Sequence, residues 1–317
     1  MKKTQTFMLT ALAALMAAPA SAAFVDDAQS RIELRNFYFN RDFRQSDAAQ
    51  SKADEWAQGV RAYWQSGYTE GRLGFGLDAI GLLGIKLDSS PDRTGTGILK
   101  RDTSENRAMD EYSELGLTAR LKLDEHVLRL GTLIPTLPVA MHNDSRLLPQ
   151  VFEGGLLTSS ELEGLTFTGG RLDKVIDRAS TDDEDLVLNS KNRRFAGGIQ
   201  ADHLDLAGAD YKFAPGFTGR YYYADLDDIY RQHFLGLLTS HKLGAGTLNS
   251  DLRLIYSDDT GAAKAGKVDN RAINAMLSYG IGAHKFGLGF QDMSGDTGFA
   301  YIDGSDPFLV NFVQIND

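Results

Sequence analysis

The chain has 317 residues with no cysteine, and it carries 33 basic against 43 acidic side chains, for a formal charge of −10. This acidic total argues against a nucleic-acid partner, because nucleic-acid binding requires a basic face. The mean hydropathy of −0.27 excludes a bundle of membrane-spanning helices. It does not exclude a β-barrel, in which only alternate residues face lipid.

The N-terminal segment has the order of a secretory signal. Lys2 and Lys3 precede an apolar run from Phe7 to Ala18, and the small residues Ala20-Ser21-Ala22 follow it. This pattern predicts a signal peptide over residues 1–23, which leaves 24–317 as one exported domain. No later run approaches the ~18 apolar residues that a spanning helix needs.

Most of the remaining chain alternates apolar and polar residues with a period of two. In the first such segment, Ile32 and Leu34 alternate with Glu33 and Arg35. We predict about fourteen strands and an all-β chain, namely a transmembrane antiparallel β-barrel. The predicted strands are 31–39, 57–66, 72–79, 114–123, 128–130, 152–159, 161–170, 195–212, 217–226, 229–242, 247–257, 271–281, 284–293 and 308–316.

The links between these strands alternate in length, which a soluble sandwich has no reason to show. Long extracellular loops and short periplasmic turns are typical of a bacterial outer-membrane barrel. The pattern therefore favours the outer membrane of a Gram-negative bacterium. The long links are 40–55, 85–111, 135–151, 172–193 and 258–270, and the short ones are 68–71, 124–126, 215–216, 244–246 and 282–284.

Several blocks of sequence resemble one known family. They are Leu34-Arg35-Asn36-Phe37-Tyr38-Phe39-Asn40-Arg41-Asp42, Leu73-Gly74-Phe75-Gly76-Leu77-Asp78-Ala79, Ser145-Arg146-Leu147-Leu148-Pro149-Gln150, Asp228-Ile229-Tyr230-Arg231-Gln232 and the ending Val310 to Asp317. Together they span residues 34–317, and they are similar to the OprD family of outer-membrane carboxylate channels.

The resemblance implies a barrel of about 18 strands with an inward-folded third loop and a ladder of basic residues that guides carboxylates. The ending Val310 to Asp317 is closer to the branch for cyclic and aromatic acids. Family members continue past residue 317, so we interpret this chain as truncated at its C-terminus. The implied partners are small carboxylate solutes, outer-membrane lipid and lipopolysaccharide, and a weakly associated homo-oligomer; no cofactor is implied.

Seven cations lie opposite the apolar face of their predicted strands, and in a barrel they would line the lumen. Positive side chains in a pore select anions, and the planar fork of arginine suits a carboxylate. The same parity would also fit solvated arginines on a soluble sandwich. These residues are Arg35, Arg61, Arg120, Arg129, Arg220, Arg253 and Lys285.

Two further residues complete the candidate site. Arg146 matches the position of a basic residue in the family's constriction loop; the alternative is an ordinary loop arginine that pairs with Asp144. Tyr222 shares parity with Arg220, so it could line the pore and stack on a substrate ring. The alternative for Tyr222 is the aromatic girdle at the membrane interface.

Three functions compete at this point, and the leading hypothesis is a passive porin for small carboxylates. The second is a secreted, soluble β-rich binding protein. The third, an exported hydrolase, lacks a GxSxG elbow, so we predict that the chain is not an enzyme. No HExxH spacing is present, and the acidic run 182–185 lacks the spaced ligands and central glycine of an EF-hand, so no metal site is expected.

Overall fold

The computed structural model describes residues 22–45, 47–190 and 195–309. The predicted signal peptide lies outside these residues up to position 21. The described chain begins with a short helix, α1 (Ala22–Asp26), and is otherwise built from strands and links. Within the described ranges, no helix is long and apolar enough to cross a membrane.

Nineteen strands form within the described residues, and thirteen of them make one antiparallel sheet in the order β1-β2-β3-β6-β7-β10-β11-β14-β15-β16-β17-β18-β19. The other six pair as short ladders inside the long links. In chain order the strands are β1 (Gln29–Asp42), β2 (Lys52–Gln65), β3 (Leu73–Asp88), β4 (Arg101–Asp102), β5 (Arg107–Ala108), β6 (Glu111–Leu123), β7 (His126–Leu133), β8 (Thr136–Leu137), β9 (Ala140–Met141), β10 (Val151–Ser159), β11 (Leu165–Ile176), β12 (Leu186–Val187), β13 (Gln200–Ala201), β14 (Leu204–Ala214), β15 (Phe217–Leu226), β16 (Tyr230–Leu243), β17 (Gly246–Asp259), β18 (Asp269–Ile281) and β19 (His284–Ser294).

The two faces of this sheet follow from the period of two. On β6, Leu115 is 71% exposed, whereas Tyr112 on the opposite face is 4% exposed. The same division holds on β1, where Leu34 is exposed and Arg35 points the other way to contact a loop. We call the face with the exposed apolar side chains the outer face and the opposite one the inner face. An apolar outer face is the surface that a barrel presents to lipid.

The alternation of link lengths is confirmed. Tight turns such as 124–125 and 282–283 lie at one end of the sheet, which we call the short-turn end. The other end carries most of the long links, and we call it the long-loop end. One exception is the brief link 227–229, which belongs to the long-loop end.

Some predicted strand limits were wrong. The strand predicted at 161–170 begins only at Leu165 and runs on to Ile176. The single strand predicted at 195–212 is instead the short β13 and the longer β14, because residues 200–201 pair with β12 inside a link. From residue 310 onward, the strand predicted at 308–316 lies outside the described residues, so the main sheet has thirteen strands against about fourteen expected.

The inner face is covered by the long links, which fold back over it. The buried cluster under β2, β3 and β6 includes Leu82, Tyr112 and Leu147. A larger cluster lies under β10 to β18 and includes Phe234 and Phe299. The links bring apolar side chains to both clusters, so their tips are held against the sheet. The third long link, 134–150, is one of them, as the resemblance implies for the third loop.

Candidate constriction site

The inner face of β1 and β2 holds the link 134–150 in close contact. Leu147 is fully buried there, and it packs on Gly59 of β2. A Cβ atom at Gly59 would lie 3.1 Å from both Leu147 Cγ and the Leu147 carbonyl oxygen, so a larger residue would push the link away. We call 134–150 the constriction loop.

Asp144 of this loop lies between two arginines of the wall. Arg61 donates to its carboxylate at 3.1 Å and 2.6 Å, and Arg35 donates to it at 3.1 Å from each of two nitrogens. The same two arginines also donate to loop carbonyls, Arg61 to Leu147 at 2.8 Å and Arg35 to Asp144 at 3.0 Å. We call Asp144, Arg35 and Arg61 the clamp.

The clamp sets the ionisation of Asp144. Burial alone would raise the pKa of this carboxyl, but the charges and hydrogen bonds of Arg61 and Arg35 outweigh it and hold the pKa below its ordinary value. Asp144 is therefore charged near neutral pH and compensates much of the positive charge of its two partners.

Arg146 has no such compensation. It makes no ion pair with any residue in the described ranges, and its guanidinium lies 5.2 Å from the ring centre of Phe39. Burial lowers the pKa of Arg146, and the positive charges of Arg178 and Arg41 lower it further, whereas the negative charge of Asp177, which pairs with Arg178 at 3.4 Å, opposes them. The alternative that Arg146 pairs with Asp144 is wrong, because the clamp arginines occupy that carboxylate. Three arginines, of which Arg41 is exposed, thus lie beside the constriction loop with Asp177 as their nearby carboxylate.

All seven predicted wall cations lie on the inner face, but most of them are neutralised locally. Besides the two clamp arginines, Arg120 pairs with Asp78 at 2.7 Å, Arg220 with Asp210 at 2.8 Å and Arg253 with Asp251 at 2.6 Å. Within the part of the chain that the structure describes, Arg129 and Lys285 have no ion pair. Their role in a solute path stays a prediction.

Arg129 lies directly across from Arg120 in the register of β6 and β7. Arg120 is 4% exposed, and its guanidinium stacks 4.5 Å from the centre of the Tyr68 ring. Arg129 is only half-buried and keeps its donors available. Lys285 is exposed near the short-turn end of β19. Of the wall cations, Arg129 is therefore the arginine with access to the lumen and no carboxylate partner.

Tyr222 lies on the inner face, as its parity predicts, but its ring is 2% exposed. Its hydroxyl donates to Asp210 at 3.1 Å, which also binds Arg220. A ring so covered has almost no surface for stacking on a solute. Here Tyr222 orients the carboxylate that neutralises Arg220.

The partner carboxylates were missed when the sequence was considered alone. Asp78, Asp210 and Asp251 share the inner-face parity of the arginines they bind, and Asp251 lies two residues from Arg253 on the same strand. That shared parity was the signal that could have found them. Asp144 carried no such signal, since only the folding of the loop brings it to Arg61.

The long links also bind one another above the sheet. Arg178 donates to the Ser145 hydroxyl at 2.9 Å, and Met141 pairs with Asp306 as an isolated bridge. A second bridge joins Leu188 to Ile302. The constriction loop is therefore tied to its neighbouring links as well as to the wall, and together they narrow the space beside the inner face.

This architecture matches known proteins along nearly the whole chain. The family described as outer membrane porin, OprD family, matches residues 22–317. The porin-like protein GalP of Pseudomonas putida is 34% identical over 302 residues, which cover 95% of this chain and 71% of GalP. Porin D of Pseudomonas aeruginosa is 34% identical over 306 residues, which cover 93% of this chain and 67% of Porin D.

Solved structures agree with these relatives. OccK9 (OpdG) of Pseudomonas aeruginosa superposes with a TM-score of 0.88 at 45% identity, over 93% of this chain and 75% of that one. OpdK of the same organism, solved with vanillate, gives 0.85 at 38% identity over 93% and 74% of the two chains. These matches remove the soluble binding protein and the hydrolase from consideration, since the relatives are channels and not enzymes. The chain belongs to the OprD family of outer-membrane β-barrel porins of Gram-negative bacteria.

Proposed function

We propose that this porin passes small solutes that carry a carboxylate, and that Arg146 and Arg129 are the guanidinium groups that meet it. One observation carries the proposal: Arg146 lies on the inward-folded loop beside other cations and has no ion pair within the described residues. An uncompensated charge acts on a passing ion, whereas a compensated one acts only at short range.

The acidic total of the chain does not oppose this selectivity. The formal charge of −10 counts every residue, including those in exposed links. The barrier that a permeating ion meets depends on charges near its path, and a pore lined by arginine or lysine favours anions. A carboxylate can accept two parallel hydrogen bonds from one arginine, so Arg146 would orient it as well as attract it.

Aromatic acids are the solutes that the surroundings of Arg146 favour. Phe39 lies under the guanidinium and offers an apolar ring beside the positive charge. A flat aromatic carboxylate could place its ring against Phe39 and its oxygens against Arg146. Vanillate, named with the OpdK structure, is a molecule of this class, and OpdK is 38% identical to this chain.

The test compares Arg146→Ala with the unmodified protein in planar lipid bilayers and in liposomes. We expect the reversal potential in a salt gradient to shift toward cations. Uptake of benzoate should fall while uptake of neutral benzamide, a solute of similar size, is unchanged. Arg72→Ala is the matched control, because Arg72 lies in an exposed turn at the short-turn end and pairs with Asp124.

Unchanged reversal potential and unchanged benzoate uptake in Arg146→Ala would contradict the proposal. The double variant Arg146→Ala with Arg129→Ala then measures whether the wall arginine acts alone. If the double variant also behaves as the unmodified protein, carboxylate selectivity does not depend on these two cations. The porin assignment would stand in either case, because it rests on the family.

We also propose that the outer face contacts membrane lipid. Exposed leucines such as Leu34, Leu115 and Leu235 form a surface suited to lipid chains. Contact with lipopolysaccharide and a weakly associated homo-oligomer stay predictions. Crosslinking of the protein in outer-membrane fragments would detect either partner.

A further inference from the structure

We infer that the clamp fixes the aperture of the channel, so that Arg35 and Arg61 are positioning residues and do not bind the solute. The inference goes beyond the selectivity proposed for Arg146. It assigns a task to two arginines that the sequence placed in the solute path, and it makes Asp144 the residue through which they act.

The hydrogen bonds of Arg61 are nearly all used by the loop. A guanidinium has five N–H donors. Arg61 makes two contacts to the Asp144 carboxylate and two to the Leu147 carbonyl, one of them from Nε at 3.2 Å. A fifth contact reaches the Arg146 carbonyl at 3.4 Å. Glu33 lies 3.7 Å from the same guanidinium. The side chain is 2% exposed, so it has neither the donors nor the surface to receive a solute carboxylate.

The bonds of the clamp fall on both sides of Arg146 along the chain. Arg35 donates to the carbonyls of Asp144 and Arg146, and Arg61 donates to the carbonyl of Leu147. Three of the four backbone carbonyls in residues 144–147 are therefore tied to the wall. The backbone that carries the Arg146 side chain cannot shift without breaking these bonds, and the distance between that side chain and the opposite links is set by them.

Carboxylates also offset much of the positive charge of the clamp. Asp144 faces both arginines, and Glu33, which pairs with Arg31 at 3.2 Å, lies 3.7 Å from Arg61. Arg61 is the buried member at 2% exposed, so removing Asp144 would leave its charge with little compensation in a site closed to water. The clamp therefore holds the loop firmly, and its carboxylate reduces the field that the two arginines would otherwise add to the lumen. Fixing the loop and attracting the anion are tasks of different arginines.

The first test reads the mobility of the loop directly. The chain has no cysteine, so Ser145→Cys provides a unique site for a nitroxide spin label beside the clamp. In detergent-folded protein, we expect Asp144→Asn to shift the label's spectrum from an immobile to a mobile form. Asp144→Glu keeps the two-oxygen acceptor and should restore the immobile form. The control is Asp205→Asn, which removes the partner of Arg171 from a two-bond pair on the outer face.

The second test measures the effect of the clamp on the channel current, and it rests on the function proposed for Arg146. In bilayers, Asp144→Asn should add current fluctuations to the open state and reduce the shift in reversal potential that Arg146→Ala causes. If Arg146→Ala has no effect by itself, the proposed function fails while the spin-label result still decides the clamp. Electrophoretic mobility with and without heating checks that every variant has folded.

Two results would overturn the inference. The first is an immobile label in Asp144→Asn, equal to that in Asp205→Asn. The second is a carboxylate-binding role for Arg61, seen if Arg61→Lys lowers benzoate uptake as much as Arg146→Ala does while the label stays immobile. A lysine retains the charge that a solute would meet but loses the fork that grips Asp144 and Leu147.

Discussion

Two inward-folded segments lie against the same wall and are held by different forces. The constriction loop is fixed by the clamp together with two buried leucines, Leu147 and Leu148, at 0% and 3% exposed. The segment 295–309 instead buries Phe299, Ala300 and Ile302, each at most 3% exposed, in the larger apolar cluster. One wall cation reaches this second segment, where Arg253 donates to the Phe308 carbonyl at 2.7 Å.

Each kind of attachment suits a different task. Hydrogen-bonded ion pairs are directional, so they fix a loop in one orientation and with it the charged group that the loop carries. Apolar contacts are non-directional and scale with buried area, so they fill space without aiming a side chain. We expect the two segments to respond differently to changes in charge, volume and pH.

The largest effect should come from Arg61→Ala. Removing Arg61 breaks its bonds to the loop and leaves Asp144 paired with Arg35 alone. Loss of one partner of a fully buried pair costs about 3–5 kcal/mol, and we expect a loss toward the lower end of that range because Asp144 is 38% exposed. We expect the guanidinium-chloride midpoint of unfolding in detergent to fall, followed by the fluorescence of Trp56 and Trp64. Arg171→Ala on the outer face is the control, since its exposed pair with Asp205 should contribute about 0–1 kcal/mol. Equal losses in both variants would mean that the clamp stabilises the protein no more than an exposed ion pair does.

We expect a smaller loss of unfolding free energy for Gly59→Ala, which tests the apolar contact between the constriction loop and β2. The added Cβ would lie 3.1 Å from Leu147, whose carbonyl is fixed by Arg61 and so cannot easily move. Overpacking of this kind costs about 1–3 kcal/mol. The same unfolding assay measures it. Gly81→Ala is the matched control, since its Cβ would meet only Ala62 at 3.8 Å, and an equal loss there would contradict this explanation.

In the segment 295–309, Ile302→Val should lower the free energy of unfolding by about 0.5–1.5 kcal/mol, because it removes one buried methylene. The variant should leave a spin label at Ser145 immobile, because the clamp is untouched. Proteolysis within 295–309 should increase slightly in rate. A mobile label at Ser145 in this variant would show that the contact of the loop with the segment 295–309, through Met141 and Asp306, orders the loop more than the clamp does.

The smallest expected effect is that of pH on the mobility of the constriction loop. Because the pKa of Asp144 is held below its ordinary value of 3.8, the stabilisation from this carboxylate is present above that value. It is lost only as the pH falls through the depressed pKa. We therefore expect the spectrum of the Ser145 label to be unchanged between pH 7 and about pH 5 and to become mobile in stronger acid. A transition near pH 5 would mean that Arg35 and Arg61 do not stabilise the charged form.

Much of the wall could be predicted from the sequence because the alternation that buries one face is itself a sequence property. It placed Arg129 and Arg253 on the inner face, and it identified the outer leucines correctly. It failed where a link folds onto the sheet, since the pairing of Gln200–Ala201 with Leu186–Val187 depends on contacts between distant residues.

The site was predictable only in part for the same reason. A motif match singled out Arg146, but nothing in the local pattern said that Asp144 would bind two wall arginines in place of its neighbour. Parity put Tyr222 on the inner face and could not show that its ring is covered. Burial depends on how the links stack above the wall, and a period of two contains no information on that stacking.

The pairing of wall arginines with inner carboxylates has a consequence for the speed of transport. Each pair, such as Arg220 with Asp210 or Arg253 with Asp251, is a dipole lying along the wall. The potential of a dipole falls off faster with distance than that of a single charge, so beyond the length of the pair a passing ion meets only a weak field. If Arg146 and Arg129 act as proposed, they add a shallow attraction to this wall, and a shallow attraction allows rapid release. Turnover in a channel requires that release as much as it requires entry.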